Sequence, residues 1–356
     1  MKVSHIFIII AVGCLVTFPI LIYGTSFLSD DGVTQAVWYA NFSNQFWAGD
    51  FYPRWLSEMN NGLGSPVFYY YPPLPFFITS LLKPLFPNDI NGWHQVGVSS
   101  AVALIASGLT AYLWLKDFTD RKSALISAVL YMIVPYHLVS DLYIRGSFAE
   151  FWAFVWLPLI LYFTNKILGG NKLAVTGLAV SYSFLIMTHL PTTLMFSLIP
   201  LSFAAINVPT KQRLKILGTV AGSMLVGIGL SAIFLYPAMT TQSNVFLDRI
   251  NVGYFSYQNW LFFSNFNVWR DDKILILLMV INLAGVAWCA FFIAKPSLDK
   301  TVKRLRAFWF VVATVSVLMM TDLSRPIWMI LPPLQKIQFP WRFNVILSLA
   351  VAALSA

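Results

Sequence analysis

The side chains best suited to chemistry lie in a long polar segment near the start of the chain. Two adjacent acids, Asp30 and Asp31, open this segment, and Arg54 follows within it. A carboxylate can accept a proton as a general base, and a guanidinium can bind two oxygens of one phosphate. The segment, residues 24–94, also holds nearly a third of the aromatic residues. Long loops of this composition favour a functional site, so we expect one on this side of the protein.

The elements that must position these side chains are apolar. The 356-residue chain is 58% hydrophobic and 10% charged, with a mean hydropathy of +0.72, whereas a soluble domain carries about 25% charged residues. The composition and the apolar stretches predict an all-α, polytopic integral membrane protein, with about ten transmembrane helices in a single domain over residues 1–356. The stretches without Asp, Glu, Lys or Arg are 5–23, 95–115, 123–139, 151–165, 173–190, 191–207, 216–238, 274–294, 307–321 and 343–356.

The charges in the connecting loops predict the orientation of the chain. Alternate loops, from Lys2 to the group that starts at Lys295, contain 14 of the 23 basic residues and only three of the 14 acids. Cytoplasmic loops carry the excess of Lys and Arg, so we predict a cytoplasmic N-terminus and an extracytoplasmic first loop, residues 24–94. The net charge of +9 is explained by this pattern, and no nucleic-acid partner is expected.

One apolar segment tests this topology, and the two ends of the chain raise separate questions. Residues 71–86 are apolar but contain four prolines and Lys83, and they fall short of the roughly 20 residues that a spanning helix needs. We interpret them as an interfacial or re-entrant segment. Residues 1–23 would also fit a signal peptide, although the length of their apolar run favours a retained helix. The sequence is still apolar at Ala356, so we expect a chain that is truncated at its C-terminus.

Several short motifs resemble those of one membrane-protein family. Residues 50–55 read DFYPRW, and residues 61–75 contain NGLGSPVF and YYPPLP. Further along, residues 143–150 read YIRGSFAE, residues 188–191 read THLP and residues 338–342 read QFPWR. Together they resemble bacterial membrane proteins whose domain is labelled 6-pyruvoyl-tetrahydropterin synthase related. Nothing in these residues supports pterin chemistry.

That family is similar to the GT-C glycosyltransferases, which implies a GT-C-like fold in a bacterial inner or archaeal plasma membrane. The resemblance implies transfer of a sugar from a polyprenyl-phosphate-linked donor, among membrane lipids, to a glycan, lipid or protein acceptor at the extracytoplasmic face. GT-C enzymes carry a catalytic acid just after the first helix, where Asp31 stands here with Asp30 beside it. The transfer needs a base for the acceptor proton and cations for the departing phosphate. The implied roles are Asp31 as base, Arg145 and Arg54 as phosphate partners, and Arg342 as another candidate of that kind.

No cofactor is predicted. Family members often carry a histidine four positions after the aspartate, whereas this chain has Gln35. We therefore predict no metal site, and a requirement for a divalent cation stays open. The sequence contains no P-loop, GxGxxG or CxxC motif. Cys14 and Cys289 both fall in apolar stretches, which argues against a disulfide framework.

The acidic candidates also have structural interpretations. Asp30 and Asp31 would serve equally as loop acids or as a helix N-cap. Glu150 precedes an apolar helix, where a carboxylate interacts favourably with the helix dipole. We retain Glu150 as a second carboxylate and a substrate-binding candidate.

The same is true of the basic candidates. Arg145 lies four residues after Asp141, so on a helix the two would form an ion pair. Arg54 beside Trp55 would fit an anchor at the membrane interface. His189, a further substrate-binding candidate, stands between two apolar stretches and would fit a hydrogen-bonded turn.

Two other functional classes remain alternatives. A transporter should place ionisable residues within its spans, and here the apolar stretches hold no Asp, Glu, Lys or Arg and only three histidines, His5, His137 and His189, each near the end of its stretch. Transport is therefore disfavoured. A non-catalytic membrane protein of envelope assembly would need none of the outer carboxylates, and the sequence leaves that alternative open.

Overall fold

The computed structural model describes residues 3–25, 29–246, 252–264, 273–294 and 299–356, and Lys2 and Lys295 lie outside these ranges. Within the ranges the regular structure is helical, with two isolated β-bridges, Leu56 to Ser65 and Phe262 to Thr321. A helix satisfies every backbone hydrogen bond within its own segment, which the membrane core requires. The all-α class is thus confirmed.

The helices follow one another through the whole described chain. A π-helix, Tyr136–Arg145, stands between α7 and α8 and is not numbered. The α-helices are α1 Val3–Val16, α2 Phe18–Tyr23, α3 Gly32–Trp47, α4 Val67–Tyr70, α5 Leu74–Ser80, α6 Trp93–Leu115, α7 Arg121–Ile133, α8 Phe148–Leu168, α9 Leu173–Ile186, α10 Leu190–Phe196, α11 Leu198–Asn207, α12 Arg213–Leu230, α13 Ala232–Thr241, α14 Lys273–Ala294, α15 Lys300–Met319, α16 Arg325–Ile330, α17 Pro332–Gln335 and α18 Asn344–Ser355.

Six helical segments in the described ranges are long and apolar enough to cross a membrane. They are Trp93–Leu115, Arg121–Arg145, Phe148–Leu168, Leu190–Asn207, Thr210–Leu230 and Lys273–Ala294. Shorter apolar helical segments are Val3–Val16, Leu74–Leu85, Leu173–Ile186 and Pro340–Ser355. Several apolar helices of spanning length are therefore confirmed, and the count of about ten transmembrane helices stays a prediction.

The first loop contains its own small aromatic core. Phe42 of α3 meets Phe68 of α4 with ring centroids 4.7 Å apart, and Phe68 lies 4.7 Å from Phe76 of α5. The backbone N–H of Leu74 donates to the Met187 carbonyl after α9. Apolar helix α5 belongs to the segment Leu74–Leu85, which is shorter than the roughly 20 residues of a span, as the prolines predict.

The helices α6, α7 and α8 pack closely in the middle of the bundle. Small residues such as Ala103, Ser107 and Gly108 are buried on α6, and small residues let helix backbones approach one another. A Cβ added at Gly108 would lie 2.3 Å from the Met132 sulfur of α7. The close contact holds α7, and the π-helix that follows it, in one position against α6.

The connecting segments gather at two opposite ends of the bundle. At one end the chain before α3 hydrogen-bonds with the end of the π-helix, through Asp30 N–H and the Ile144 carbonyl. At the other end Thr119, after α6, donates to the Ala356 carbonyl, and Arg304 of α15 donates to Asn207 of α11. We call these the Asp31 end and the Arg304 end.

Candidate functional site

Asp31 is fixed at the start of α3 by its backbone. Its N–H donates to the Arg145 carbonyl over 2.8 Å, beside the 3.0 Å bond from Asp30 N–H to Ile144. Asp31 occupies the N-cap position of α3, but its side chain makes no capping hydrogen bond. The exposed carboxyl group is therefore placed by its neighbours in the chain and is not used to cap the helix.

The π-helix presents Arg145 to a set of acceptors. Arg145 Nη1 lies 2.7 Å from Asp141 Oδ1 and 3.0 Å from the Tyr136 hydroxyl, and its Nη2 donates to Ser147 over 3.3 Å. The ion pair with Asp141 is the structural interpretation that the four-residue spacing suggested. A π-helix of ten residues is unusual, since π-turns occur mostly as single bulges at functional sites.

Glu150 joins this set to a distant part of the chain. The side chain is fully buried in the first turn of α8. Its Oε1 accepts from the Tyr136 hydroxyl at 2.7 Å, and its Oε2 accepts from Arg145 Nη1 at 3.1 Å. Arg342 Nε lies 3.2 Å from the same Oε2, in an ion pair without hydrogen-bond alignment. One carboxylate thus ties together two arginines almost 200 residues apart.

Arg342 stands in the short turn before α18. Its Nη1 donates to the Ile337 carbonyl over 2.7 Å, and the guanidinium carbon lies 5.1 Å from the centre of the Phe339 ring. The side chain is 13% exposed, compared with 7% for Arg145. Arg145 also donates to four acceptors, whereas Arg342 donates to one. The Arg342 guanidinium is therefore both the more exposed of the two and the less occupied by hydrogen bonds.

The electrostatics show that Asp31 shares this site. The surrounding protein desolvates the carboxyl group and raises its pKa, while Arg145 and then Arg342 act in the opposite direction. The charges of Asp30 and Glu150 raise the pKa further. Asp31 therefore retains contact with solvent, as a base must, within a protein environment that makes its proton affinity higher than usual.

His189 contributes a neutral imidazole. It precedes α10, and its Nδ1 lies 2.7 Å from the Thr192 hydroxyl oxygen, as expected for a hydrogen-bonded turn. Burial lowers its pKa to about 3, although the nearby Glu150 charge acts in the opposite direction. At neutral pH His189 therefore brings hydrogen-bonding capacity to the site but no positive charge.

Arg54 is placed differently from the other candidates. Its guanidinium stacks on the Tyr52 ring at 3.8 Å, and its Nη2 donates to the Ile233 carbonyl of α13 over 3.1 Å. None of the described acids forms an ion pair with it. Contacts and charge interactions together bring five candidates into one site, namely Asp31, Arg145, Glu150, His189 and Arg342, and leave Arg54 with α13. Asp30 lies beside the group and is exposed.

Tyr136 belongs to the site but was not among the predicted residues. It is fully buried and contacts both Glu150 and Arg145 through its hydroxyl group. Its position gave no signal, because a tyrosine near the end of an apolar stretch is typical of a membrane interface. Only the tertiary fold brings its hydroxyl to the carboxylate.

A small cavity beside the site is lined by two residues whose buried acceptor oxygens have no partner among the described residues. Gln35 Oε1 and Asp141 Oδ2 are buried, and both residues line a space of about 10 Å³ between α3, the π-helix, α6 and α8. That volume holds about one water molecule, which could donate to these oxygens. Among the described residues, no three His, Cys, Asp or Glu side chains are grouped as metal ligands.

The comparisons with known proteins concern the fold first. The structure matches the Archaeoglobus fulgidus oligosaccharyltransferase, tethered with an acceptor peptide containing the NVT sequon, with a TM-score of 0.50 and 12% identity. The match covers 99% of this chain and 49% of that one, so the chain spans about half the length of this oligosaccharyltransferase. ArnT from Cupriavidus metallidurans, bound to undecaprenyl phosphate, gives a TM-score of 0.44 and 12% identity over 100% of this chain and 77% of that one.

The first match shows that the helices are arranged in a GT-C-like fold, as expected from the motifs. None of the curated proteins matches the chain in sequence. The family model for the 6-pyruvoyl-tetrahydropterin synthase related domain, described as a membrane protein, matches residues 68–356. Arg145, Glu150, His189 and Arg342 lie inside that match, and Asp31 lies before it. The chain belongs to the family of membrane proteins with a 6-pyruvoyl-tetrahydropterin synthase related domain.

Proposed function

We propose that this protein is a membrane glycosyltransferase that transfers a sugar from a polyprenyl-phosphate-linked donor to an acceptor at the extracytoplasmic face. One observation carries the proposal. The exposed carboxyl group of Asp31 interacts electrostatically with two guanidinium groups, those of Arg145 and Arg342, which are joined by the buried Glu150. This arrangement offers a proton acceptor and positive charge in the same place. The GT-C-like fold supports the proposal at the level of the fold alone.

Asp31 is the proposed general base. An acceptor hydroxyl attacks the anomeric carbon of the donor sugar and forms the new glycosidic bond. The bond from that carbon to the phosphate oxygen breaks, and both of its electrons stay with the phosphate. The acceptor proton passes to the Asp31 carboxylate. The Asp31 carboxyl group forms no side-chain hydrogen bond with another described residue. It is therefore free to take the proton from the hydroxyl group of the acceptor substrate.

Arg342 and Arg145 are the proposed partners of the departing phosphate. Positive charge placed in advance stabilises negative charge that develops as the phosphate leaves. Arg342 is the more exposed of the two and is the better direct contact. Arg145 is largely committed to Asp141, Tyr136 and Glu150, so its contribution is mainly the field of its charge.

Arg54 and His189 have supporting roles in the proposal. The Arg54 charge has no carboxylate partner among the described residues and remains available for an anionic ligand near α13. The neutral His189 lies close enough to Glu150 and Arg342 to interact electrostatically with them. It can position a substrate hydroxyl by hydrogen bonding.

The test compares cells that lack the protein and cells that express Asp31→Asn at the normal membrane level. Lipid-linked sugars and surface glycans are analysed in both by mass spectrometry. We expect Asp31→Asn to reproduce the deletion, with loss of a glycan product and accumulation of its unused lipid-linked donor. The matched control is Glu58→Gln, which changes an exposed carboxyl group of the same loop and should restore the product.

The result can also overturn the proposal. If stable, inserted Asp31→Asn restores the same glycan product as the unmodified protein, Asp31 is not the base. If deletion leaves lipid-linked sugars and surface glycans unchanged, the protein is not a glycosyltransferase of this kind, and a non-catalytic role in the envelope takes its place.

A further inference from the structure

The Arg304 end of the bundle contains an apolar cavity of about 320 Å³. Trp114 of α6, Phe203 of α11 and Trp309 of α15 line it together with Ala353 of α18. The Trp114 and Trp309 rings meet edge to face with centroids 5.3 Å apart. The Trp114 Nε1 is buried and has no acceptor among the described residues. An occupant that carries both apolar groups and an acceptor oxygen would fit this lining.

A polar cavity of about 610 Å³ adjoins the first and shares Phe118 and Leu305 with it. Lys166 and Arg304 line this second cavity, as do Asn165, Asn171, Asn207 and Thr301. Among the described residues, Asp117 is the one acid in the lining, and it pairs with Lys166 at 2.8 Å. Arg304 donates to the neutral Asn207. Together the described side chains therefore give the polar cavity a net positive charge.

We propose that these two cavities bind an anionic phospholipid. The head group lies in the polar cavity near Arg304, and part of one acyl chain lies in the apolar cavity. The apolar cavity, at about 320 Å³, has room for part of an acyl chain. Basic pockets between transmembrane helices are suited to acidic head groups, and an ester or phosphate oxygen would supply the acceptor that Trp114 lacks.

This site is separate from the Asp31 site. Its lining residues come from the ends of α6, α8 and α11, the start of α15 and the end of α18, whereas the Asp31 site is built at the start of α8 and before α18. Both sites thus contact α8 and α18 at opposite ends. The proposal does not depend on the glycosyltransferase function and can hold if that function fails.

The experiment uses the full-length protein in detergent, with phosphatidylglycerol as the anionic probe and phosphatidylcholine as the neutral one. Native mass spectrometry measures how many lipids bind and how tightly. We expect one tightly bound phosphatidylglycerol and weaker binding of phosphatidylcholine. Each basic residue near an acidic head group contributes about fivefold in affinity, so Arg304→Gln should weaken phosphatidylglycerol binding about fivefold.

The matched control for the charge change is Arg213→Gln. This exposed residue lies at the start of α12, outside both cavities, and its replacement removes the same charge. A second variant, Ala353→Phe, fills the apolar cavity and should reduce the binding of both lipids. Its control is Ala205→Phe, a similar change at a half-buried position outside the cavities.

The outcomes separate the possible occupants. Weaker binding of phosphatidylglycerol in Arg304→Gln and in Ala353→Phe, with unchanged binding in both controls, supports the site. An equal loss in the Arg213→Gln control would mean that general surface charge attracts the lipid, and the proposal fails. The proposal also fails if the unmodified full-length protein retains no phosphatidylglycerol. That result would be expected if another part of the chain filled the cavities.

Discussion

The neighbouring residues Asp30 and Asp31 have different electrostatic environments. Asp31 is exposed but partly desolvated, and its raised pKa reflects the balance between burial and the charges of Arg145 and Arg342. Asp30 is exposed and acts on Asp31 through its negative charge. Asp31 lies close enough to Arg145, Arg342 and the surrounding protein for its pKa to shift, and Asp30 contributes its charge to that shift. Adjacent residues of one type can therefore have different roles.

The raised pKa of Asp31 leads to a prediction about pH. A general base works only when deprotonated, so transfer activity should fall as the pH falls through the raised pKa of Asp31. Asp30→Asn removes a negative charge that raises this pKa, so the acidic limb of the activity profile should move to lower pH. Arg342→Gln removes a charge that lowers the pKa, so the limb should move to higher pH.

The measurement is the initial rate of transfer into glycan product as a function of pH, with each variant scaled to its own maximum. Glu58→Gln serves as the control, because Glu58 is not among the charges that shift the Asp31 pKa. Movement of the limb in the same direction for Asp30→Asn and Arg342→Gln would contradict the assignment of the limb to Asp31.

At the scale of elements, the buried Glu150 joins the π-helix, α8 and the turn before α18. Glu150→Gln removes the negative charge that pairs with both Arg145 and Arg342, so the two buried guanidinium groups lose a shared ionic partner. Breaking a buried ion pair by removing one partner costs about 3 to 5 kcal/mol. We therefore expect a loss of that order in the free energy of unfolding, measured by denaturant titration in micelles.

The control for Glu150→Gln is Asp322→Asn. Asp322 also pairs with an arginine, Arg325, at 2.6 Å, but the two side chains are 38% and 37% exposed. An exposed ion pair contributes about 0 to 1 kcal/mol, so the same chemical change should have little effect there. Equal losses in the two variants would show that Glu150 does not hold the elements together.

The connection between the π-helix and the chain before α3 depends on Gly146. Its φ of +62° lies in the left-handed region, and an added Cβ would come 2.5 Å from Ser29 Oγ and 3.1 Å from Gly32 N. Gly146→Ala should separate Asp31 from the Arg145 carbonyl and cost about 1 to 3 kcal/mol in excess of the backbone strain. Both the unfolding free energy and the transfer rate should fall.

Gly170→Ala is a matched control for this change. Gly170 has a φ of +81° but no heavy atom within 4 Å of an added Cβ, so the substitution introduces backbone strain alone. The difference between the two variants therefore measures the contact with the segment before α3. If both variants lose the same stability and Gly146→Ala keeps its activity, the proposed role of this junction is wrong.

The sequence predicted individual elements better than the connections between them. The Asp141 and Arg145 pair followed from a spacing of four residues, because partners on one helical turn need no tertiary information. The contact of Arg342 with Glu150 joins residues that are almost 200 positions apart, and no local pattern encodes it. Tyr136 was missed for the same reason, since its hydroxyl finds Glu150 only after α7 and α8 pack.

At the scale of the whole molecule, charge-free stretches predicted a helical membrane protein because the cost of burying a charge in lipid is large. They predicted the ends of helices less well. The stretch 5–23 divides at Thr17, where α1 ends before the proline of α2. The stretch 173–190 contains α9, and the stretch 191–207 divides into a short helix, α10, and the following helix α11. Both differences arise at prolines or in turns that an apolar run alone does not indicate.

The orientation of the bundle yields a prediction that bears on every proposal about the Asp31 site. If the basic loops are cytoplasmic, Leu63 in the first loop and Leu173 at the start of α9 lie on opposite sides of the membrane. Both side chains are highly exposed, at 81% and 83%, so they form a matched pair. In a background with Cys14→Ala and Cys289→Ala, a membrane-impermeant maleimide should label Leu63→Cys in intact cells and Leu173→Cys only after permeabilisation. The opposite labelling pattern would put Asp31 in the cytoplasm, and sugar transfer at the outer face would then be excluded.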